Sequence, residues 1–310
     1  KIPNVDIYIT GSNSRMLSSD ILTQFRDRGD EIRVFPLSYA EFSSAYEGDK
    51  RFAWSEYLTY GGMPLVMTLP THEEKSDYLK KLFTKTYMKD VVERHQIRSD
   101  VAILGDLLNV LSSSVGFLTN PAKLSRTFAS LKQASVSPAT ITMYLSYFLD
   151  AFLIDKAERY DIKGKKYIDS PFKYYFTDIG LRNARLNFRQ VEESHIMENA
   201  IFTELKRRCF DVDVGSVVRN SKDKDGKSVR SRLEVDFVVN RGSQRYYMQS
   251  VLHVDTFEKR MQETESLKRT GDSFRKLVIV KDPIVPWHDD DGILYVGIEQ
   301  FLLDEHALDL

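Results

Sequence analysis

The chain has 310 residues, room for about two or three domains, and 42% of them are hydrophobic, which excludes wholesale disorder. A formal net charge of -1 excludes a global field that would draw it onto nucleic acid or membrane, so any basic surface must be local. One cysteine, Cys209, excludes a disulfide framework and a multi-cysteine zinc site and fits a reducing cytosol, so a cytoplasmic location is expected. No apolar run is long enough to span a bilayer and no signal peptide is visible, so no membrane partner is expected. The chain opens on Lys1 and not on Met, so either a fragment of a longer protein or a chain cut from a tag is expected.

Val5, Ile7 and Ile9 alternate with Asp6, Tyr8 and Thr10, which predicts a strand that Gly11 to Ser14 breaks. Ser18 or Ser19 can cap a helix running to about Phe25, and a short second strand is predicted from Ile32 to Phe35, stopped by Pro36. This opening piece is too small to fold alone, so it reads as the last third of an α/β domain. The pattern then turns helical. Phe52 to Tyr60 ends at Gly61-Gly62, Tyr78 to Arg94 carries Leu79, Leu82, Phe83, Tyr87, Val91 and Val92 on one face, and Val101 to Leu111 repeats the pattern. Asn120 caps a helix carrying Leu124, Phe128 and Leu131, and Ser137-Pro138 starts a second with Ile141, Leu145, Phe148 and Leu149 inward. A hairpin follows, Phe152 to Glu158 and Lys165 to Asp169, then a short strand at Lys173 to Thr177. Two helices followed by a hairpin are the plan of a winged helix. Beyond about Asn187 come a helix from Val191 to Arg208, strands at Val212 to Val218, Leu233 to Val239 and Arg245 to Leu252, a helix from Phe257 to Lys268, and strands at Lys276 to Lys281 and Ile293 to Val296. The charged stretch Asn220 to Arg232 reads as a mobile hairpin loop.

Several stretches, in order, carry a resemblance: "ITGSNSRML", "GDEIRVFPLSYAEF", "YLTYGGMP", "TKTYMKDVVERHQIR", "KYYFTDIGLRNA" and "ENAIFTELKRR...LEVDFVV". Together they resemble prokaryotic AAA-type ATP-binding proteins with a C-terminal domain of unknown function. The resemblance implies an α/β multidomain chain. Residues 1–42 would be a C-terminal remnant of a P-loop AAA ATPase domain, 43–112 a helical linker region, 113–186 a winged-helix-like domain, and 187–310 a restriction-endonuclease-like domain. The family's P-loop and acidic Mg²⁺-binding strand would lie upstream of Lys1. ATP and Mg²⁺ would therefore be cofactors of the intact protein, with ATP hydrolysis there, and none is expected in this chain.

The resemblance assigns a γ-phosphate sensor role to Thr10, Ser12 and Asn13, because hydrolysis needs a polar side chain at a strand end facing the attacking water. The plainer reading of the same residues is a strand-to-helix turn whose Ser and Asn supply capping oxygens. It also implies that Arg28, or else Arg26, is an arginine finger acting in cis or on a neighbouring subunit; otherwise these are solvated arginines paired with Asp27 or Asp30. The second helix of the winged-helix candidate, Pro138 to Asp150, contains no Lys or Arg. Its functional reading is DNA binding, with Lys163, Lys165 and Lys166 on the wing and Thr140 and Thr142 reaching base edges; the rival reading is a spacer or protein-docking unit. In the last region the order of elements is similar to a restriction-endonuclease-like core. Glu198, or Glu204, would come from the helix and Asp236 from a strand, but Gln249 stands where a glutamate belongs and Val251 where a lysine belongs. Glu198, Asp236 and Gln249 then form a degenerate nuclease-like site, or simply a buried polar cluster tying helix to sheet. The six histidines show no metal-ligand spacing and "HDDDG", His288 to Gly292, reads as a solvated turn, so no metal site is assigned. The rival function classes are a nucleic-acid-binding protein or Mg²⁺-dependent nuclease, and a protein-protein interaction module.

Overall fold

The computed structural model describes residues 8, 10–11, 32–97, 101–132, 135–189, 192–222 and 226–310. The expected strand through Ile7 and Ile9, Ser12, Asn13, the helix to Phe25, Arg26 and Arg28 lie outside the described residues. Thr10 is described and exposed. The second short strand does not form: Ile32 to Phe35 pair with no strand among the described residues, and Ile32 and Val34 are exposed. What anchors this segment is charge and backbone. The Arg33 guanidinium donates to both carboxylate oxygens of Asp155, at 3.2 and 2.7 Å, and lies over the rings of Phe35 and Phe152. Leu37 N donates to Gly62 O.

Helix α1 (Tyr39–Ala45) starts at a capping box in which the Ser38 hydroxyl accepts from Glu41 N while Glu41 accepts from Ser38 N. Tyr39 reaches the far end of the chain and donates to Glu299 at 2.6 Å. Helix α2 (Ala53–Tyr60) ends at Gly61, whose φ of 71° is open to glycine without strain. The single long helix expected over Tyr78 to Arg94 is instead α3 (His72–Leu82), a π-helical segment (Phe83–Met88) and α4 (Lys89–Arg94). Its true start was written in Thr71 and Glu74, which form a second capping box. Helices α5 (Val101–Ser113), α6 (Pro121–Lys132) and α7 (Pro138–Asp150) follow, then the hairpin β1 (Ile154–Asp161) and β2 (Lys166–Phe176). The two short pieces expected in β2 are one strand. Pro171 does not break it, because it lies in the break in register between the Arg159–Ile168 and Ala157–Lys173 pairs, where no ladder bond is asked of its nitrogen.

After α8 (Ile179–Arg185) and α9 (Glu193–Arg207) come β3 (Asp211–Lys222), β4 (Ser228–Arg241), β5 (Gln244–Val251), α10 (Phe257–Lys268), β6 (Arg275–Val280), β7 (Trp287–His288), β8 (Leu294–Gly297) and α11 (Ile298–Leu303). The stretch expected to be a mobile loop, Asn220 to Arg232, is largely a two-stranded ribbon, paired out to Lys222 opposite Ser228. Valines at 217, 218 and 229 support the extended backbone there, and the charges stand in solvent on its faces.

Among the described residues, eight strands form one mixed sheet in the order β2-β1-β3-β4-β5-β6-β8-β7. The hairpin is not set apart from the later strands, since β1 pairs in parallel with β3 through Arg159, Tyr160 and Asp161. One face carries the main core, where Ile201, Phe202 and Leu205 of α9 meet Tyr175, Phe237 and Met248. The other carries a smaller core of Val217, Val235, Tyr247 and Val251 with Leu267 of α10. No helix among the described residues is long and apolar enough to cross a membrane.

Candidate functional site: a carboxylate cleft closed by a lysine

Along β4, side chains alternate between the two faces, so Glu234 and Asp236 share the face on which α9 packs, while Leu233 and Val235 meet the second core. Between Val235 and Val238 the ladder slips: three steps of β4 pass two of β3, from Gly215 to Asp213. The bulge turns Asp236 and Phe237 to the same side, Phe237 into the main core and Asp236 beside it towards α9. Beyond the Phe237–Met248 pair, β4 and β5 part, and Gln249 fills the gap. Its Oε1 accepts from Asp236 N at 2.7 Å and its Nε2 donates to Glu234 O and Glu263 O at 3.5 and 3.4 Å. Asp236 Oδ2 accepts from Ser250 N at 2.9 Å. Gln249 therefore stands in for ladder bonds. Val251 is turned into the second core, away from the carboxylates.

The lysine comes from elsewhere. Lys173 of β2, 2% exposed, places its Nζ 2.6 Å from Glu198 Oε1, 2.6 Å from Glu234 Oε1 and 4.0 Å from Asp236 Oδ1. Two residues on, on the same face of β2, Tyr175 donates to Glu198 Oε1 at 2.5 Å. Sequence reasoning missed Lys173, although a signal was present: a lone charge inside the apolar strand "KYYF". Burial disfavours the ammonium, but the charges of Glu198, Asp236 and Glu234 outweigh it and raise the Lys173 pKa well above the ordinary value. Burial likewise pushes the Glu198 carboxyl up, yet Lys173, with hydrogen bonds from its neighbours, holds it below the usual carboxylate range. Asp236 goes the other way: burial, then the charge of Glu198, push it up to about 8 against the pull of Lys173. The carboxylates face an open cleft of about 520 Å³ whose other wall holds Phe117, Lys123, Ser194 and His195. Phe117 and His195 lie against one another with ring centres 4.2 Å apart and planes tilted by 46°.

This donor set does not fit a divalent metal. The ammonium of Lys173 sits where Glu198, Glu234 and Asp236 converge, and Asp236 is further engaged by Ser250 N. No group of three or more His, Cys, Asp or Glu among the described residues is placed to hold a metal ion. The structure brings Glu198, Asp236 and Gln249 to one cleft. Glu204 is elsewhere: its Oε1 accepts from Arg208 at 2.5 Å and Arg207 at 2.7 Å, and Arg208 donates on to Phe301 O, locking α9 to α11. Thr140 and Thr142 hydroxyls bond locally, to Ser137 Oγ and Pro138 O. Asp289 of "HDDDG" accepts from the backbone N–H of Asp291 and Ile293, closing a turn.

The motif "KYYFTDIGLRNA" also builds a second polar cluster, sealed inside the molecule. Asp178 caps α8 through Leu181 N at 2.9 Å and accepts from Gly62 N at 2.7 Å, and burial pushes its carboxyl up to about 6. Arg182 donates to Ser112 O, and Asn183 to Leu58 O and Thr59 O. Gly180 passes so close to α2 that a Cβ there would lie 1.9 Å from Tyr60 O.

Comparison with known proteins places the chain. Residues 1–43 match the family described as an AAA domain, and residues 51–192 match the one described as a domain of unknown function, DUF8612. An uncharacterized protein of Haemophilus influenzae is 33% identical over 305 residues, covering 97% of this chain and 71% of that protein. The uncharacterized protein MJ1544 of Methanocaldococcus jannaschii is 31% identical over 219 residues, 66% of this chain and 48% of that one. The crystal structure of protein VC1899 from Vibrio cholerae superposes over 92% of this chain and 64% of that chain with a TM-score of 0.28 and 12% identity, too low to carry an argument. The chain belongs to the same family as the Haemophilus influenzae protein, with an AAA-domain segment followed by the domain of unknown function.

Proposed function

We propose that this chain is part of an AAA-type ATP-binding protein in which everything after the AAA segment is an effector module without phosphodiesterase activity. Mg²⁺-ATP binding and hydrolysis would reside in the AAA portion of the intact protein, with Thr10, Ser12 and Asn13 as its sensor and Arg28, or Arg26, as its finger. The helices α6 and α7 with the β1–β2 hairpin serve as the winged-helix part, and α9 with β3 to β8 as a degenerate restriction-endonuclease-like part. Arg33 on Asp155 and Tyr39 on Glu299 tie the end of the AAA segment to the first strand and the last helix, a route for a nucleotide-driven movement to reach both parts.

The observation that carries the reading is the Lys173 ammonium among Glu198, Glu234 and Asp236. A fixed internal cation neutralises carboxylates that a nuclease would give to Mg²⁺. The second reading, a Mg²⁺-dependent nuclease, draws on the same convergence of carboxylates at an open cleft. Incubation of the purified chain with supercoiled plasmid and Mn²⁺ separates them. No nicking is expected. Nicking that disappears in Asp236→Ala would establish the nuclease and end the effector reading.

A further inference from the structure

The ribbon made by the outer halves of β3 and β4 carries arginines on both faces, and the two faces are treated differently. On the face of the second core, Arg219, opposite Ser231, is neutralised by Glu265 at 3.1 Å. On the other face, Arg230 and Arg232 are exposed and form no ion pair with any carboxylate among the described residues. Strand alternation puts Arg230, Arg232, Glu234 and Asp236 in one row, spaced by ~6.7 Å, so the arginines lead straight to the cleft. Lys222 and Asn220, opposite Ser228 and Arg230, stand on the same face.

A third arginine joins the row from the neighbouring strand. Arg159 of β1 reaches Ser216 Oγ at 3.4 Å, and Ser216 lies opposite Glu234. Burial first, then the like charge of Arg232, lower the Arg159 pKa against the pull of Glu234 and Asp161. The turn between β1 and β2 flanks the root of the ribbon, since Ile162 N donates to Ser216 O, and the exposed Lys165 and Lys166 stand at its end and at the start of β2. At the inner end Lys173 offsets the carboxylates, and the Phe117–His195 pair offers a ring face that is 46% exposed on Phe117. Exposed guanidiniums that lead to an aromatic wall can hold a single strand, with phosphates along the cations and a base on the ring.

We propose that the β3–β4 ribbon, through Arg230, Arg232 and Arg159, is a binding track for the phosphate backbone of a single-stranded nucleic acid whose end enters the cleft beside Phe117 and His195. The track names a ligand for the effector module, and it rests on that reading only in that the strand is retained and not cut.

The test is fluorescence anisotropy with a fluorescein-labelled mixed-sequence single-stranded DNA oligonucleotide, in EDTA so that cleavage plays no part, over a range of salt. The wild-type chain is expected to bind at low salt. Arg230→Gln with Arg232→Gln is expected to bind about tenfold more weakly, with a log–log salt slope shallower by about 1.4, two phosphate contacts on a single strand. Lys81→Gln with Lys89→Gln, two exposed lysines on other helices, is expected to bind as wild type. Absence of wild-type binding at low salt, an unchanged affinity in the ribbon variant, or an equal loss in the Lys81/Lys89 variant would overturn the track. So would retention on phosphatidylserine vesicles through these arginines with no oligonucleotide binding. Should the ribbon variant lose its folded circular dichroism, Arg159→Gln carries the same test, and unchanged affinity there overturns the proposal. Cutting of the oligonucleotide once Mg²⁺ is added would overturn the non-cleaving reading and leave the track standing.

Discussion

The motif "KYYFTDIGLRNA" feeds two buried polar clusters that solve the same problem in different ways. At the sealed junction, Asp178 is surrounded by backbone donors: Gly62 N, Leu181 N and the amide of Gly180. At the cleft, Glu198 and Asp236 face another charge, Lys173. Backbone dipoles stabilise a carboxylate without adding an ion to the interior, so the junction stays closed and serves only to hold α2 against α8. A buried cation needs several carboxylates to offset its desolvation, and here they gather where β4 and β5 part beyond the Phe237–Met248 pair. The lesson is that a charged cluster stays open to solvent and to ligands where its partners are long side chains on splayed elements, and closes where they are backbone.

The strongest way to break the contrast is to remove the cation. Lys173→Met is expected to destabilise the chain by about 4 kcal/mol near neutral pH in denaturant unfolding, because Glu198 is left ionised without its partner. Glu198 lies below its ordinary value of 4.5 in the wild type, so the stability it contributes is present above that pH and lost on acidification. The gap between variant and wild type should narrow as the pH falls below 4.5. An unchanged midpoint at neutral pH would show that the cleft carboxylates are already satisfied by water.

At the junction, Asp178→Ala is expected to cost about 3 kcal/mol, combining a lost helix cap with an orphaned buried Gly62 N–H. Thermal unfolding that shifts by no more than a surface substitution would sink the account of the junction.

Asp178→Asn and Asp236→Asn sharpen the comparison by pH. Both aspartates have folded values above the ordinary 3.8, about 6 and about 8, so each contributes stability that is full below pH 3.8 and is lost as the pH rises through the folded value. Relative to its Asn variant, the wild type should therefore lose stability up to about pH 6 for Asp178 and up to about pH 8 for Asp236. The slope difference is at most about 1.4 kcal/mol per pH unit. Coincident windows would contradict the different surroundings described for the two groups. The smallest effect belongs to the cleft rim, where Lys259 pairs with Glu263 at 2.6 Å one helical turn away. Lys259→Ala is expected to shift stability by about 0.3 kcal/mol, and less in high salt.

Much of the local architecture was legible from residue patterns alone. The helix from Phe257 to Lys268 and the hairpin after α7 follow from periodicity and caps, which act over a few residues. The failures are instructive. The ribbon at Asn220 to Arg232 was hidden because charge and glycine mimic a loop when both faces of a strand meet solvent. The π-helical segment at Phe83 to Met88 breaks no sequence rule, so periodicity ran straight through it.

By itself the sequence determined most of the helices, the strands from Leu233 onward, their order and the polar residues available to the cleft, because these depend on local geometry, whereas the alternation that lines Arg230 and Arg232 up with Glu234 and Asp236 emerged only with the ribbon. Only the tertiary structure decided that β1 joins β3, that the bulge at Asp236 aims its carboxylate at α9, and that the lysine of the site is Lys173. Those three facts depend on which strands become neighbours across long stretches of chain, and no short-range pattern encodes a pairing partner.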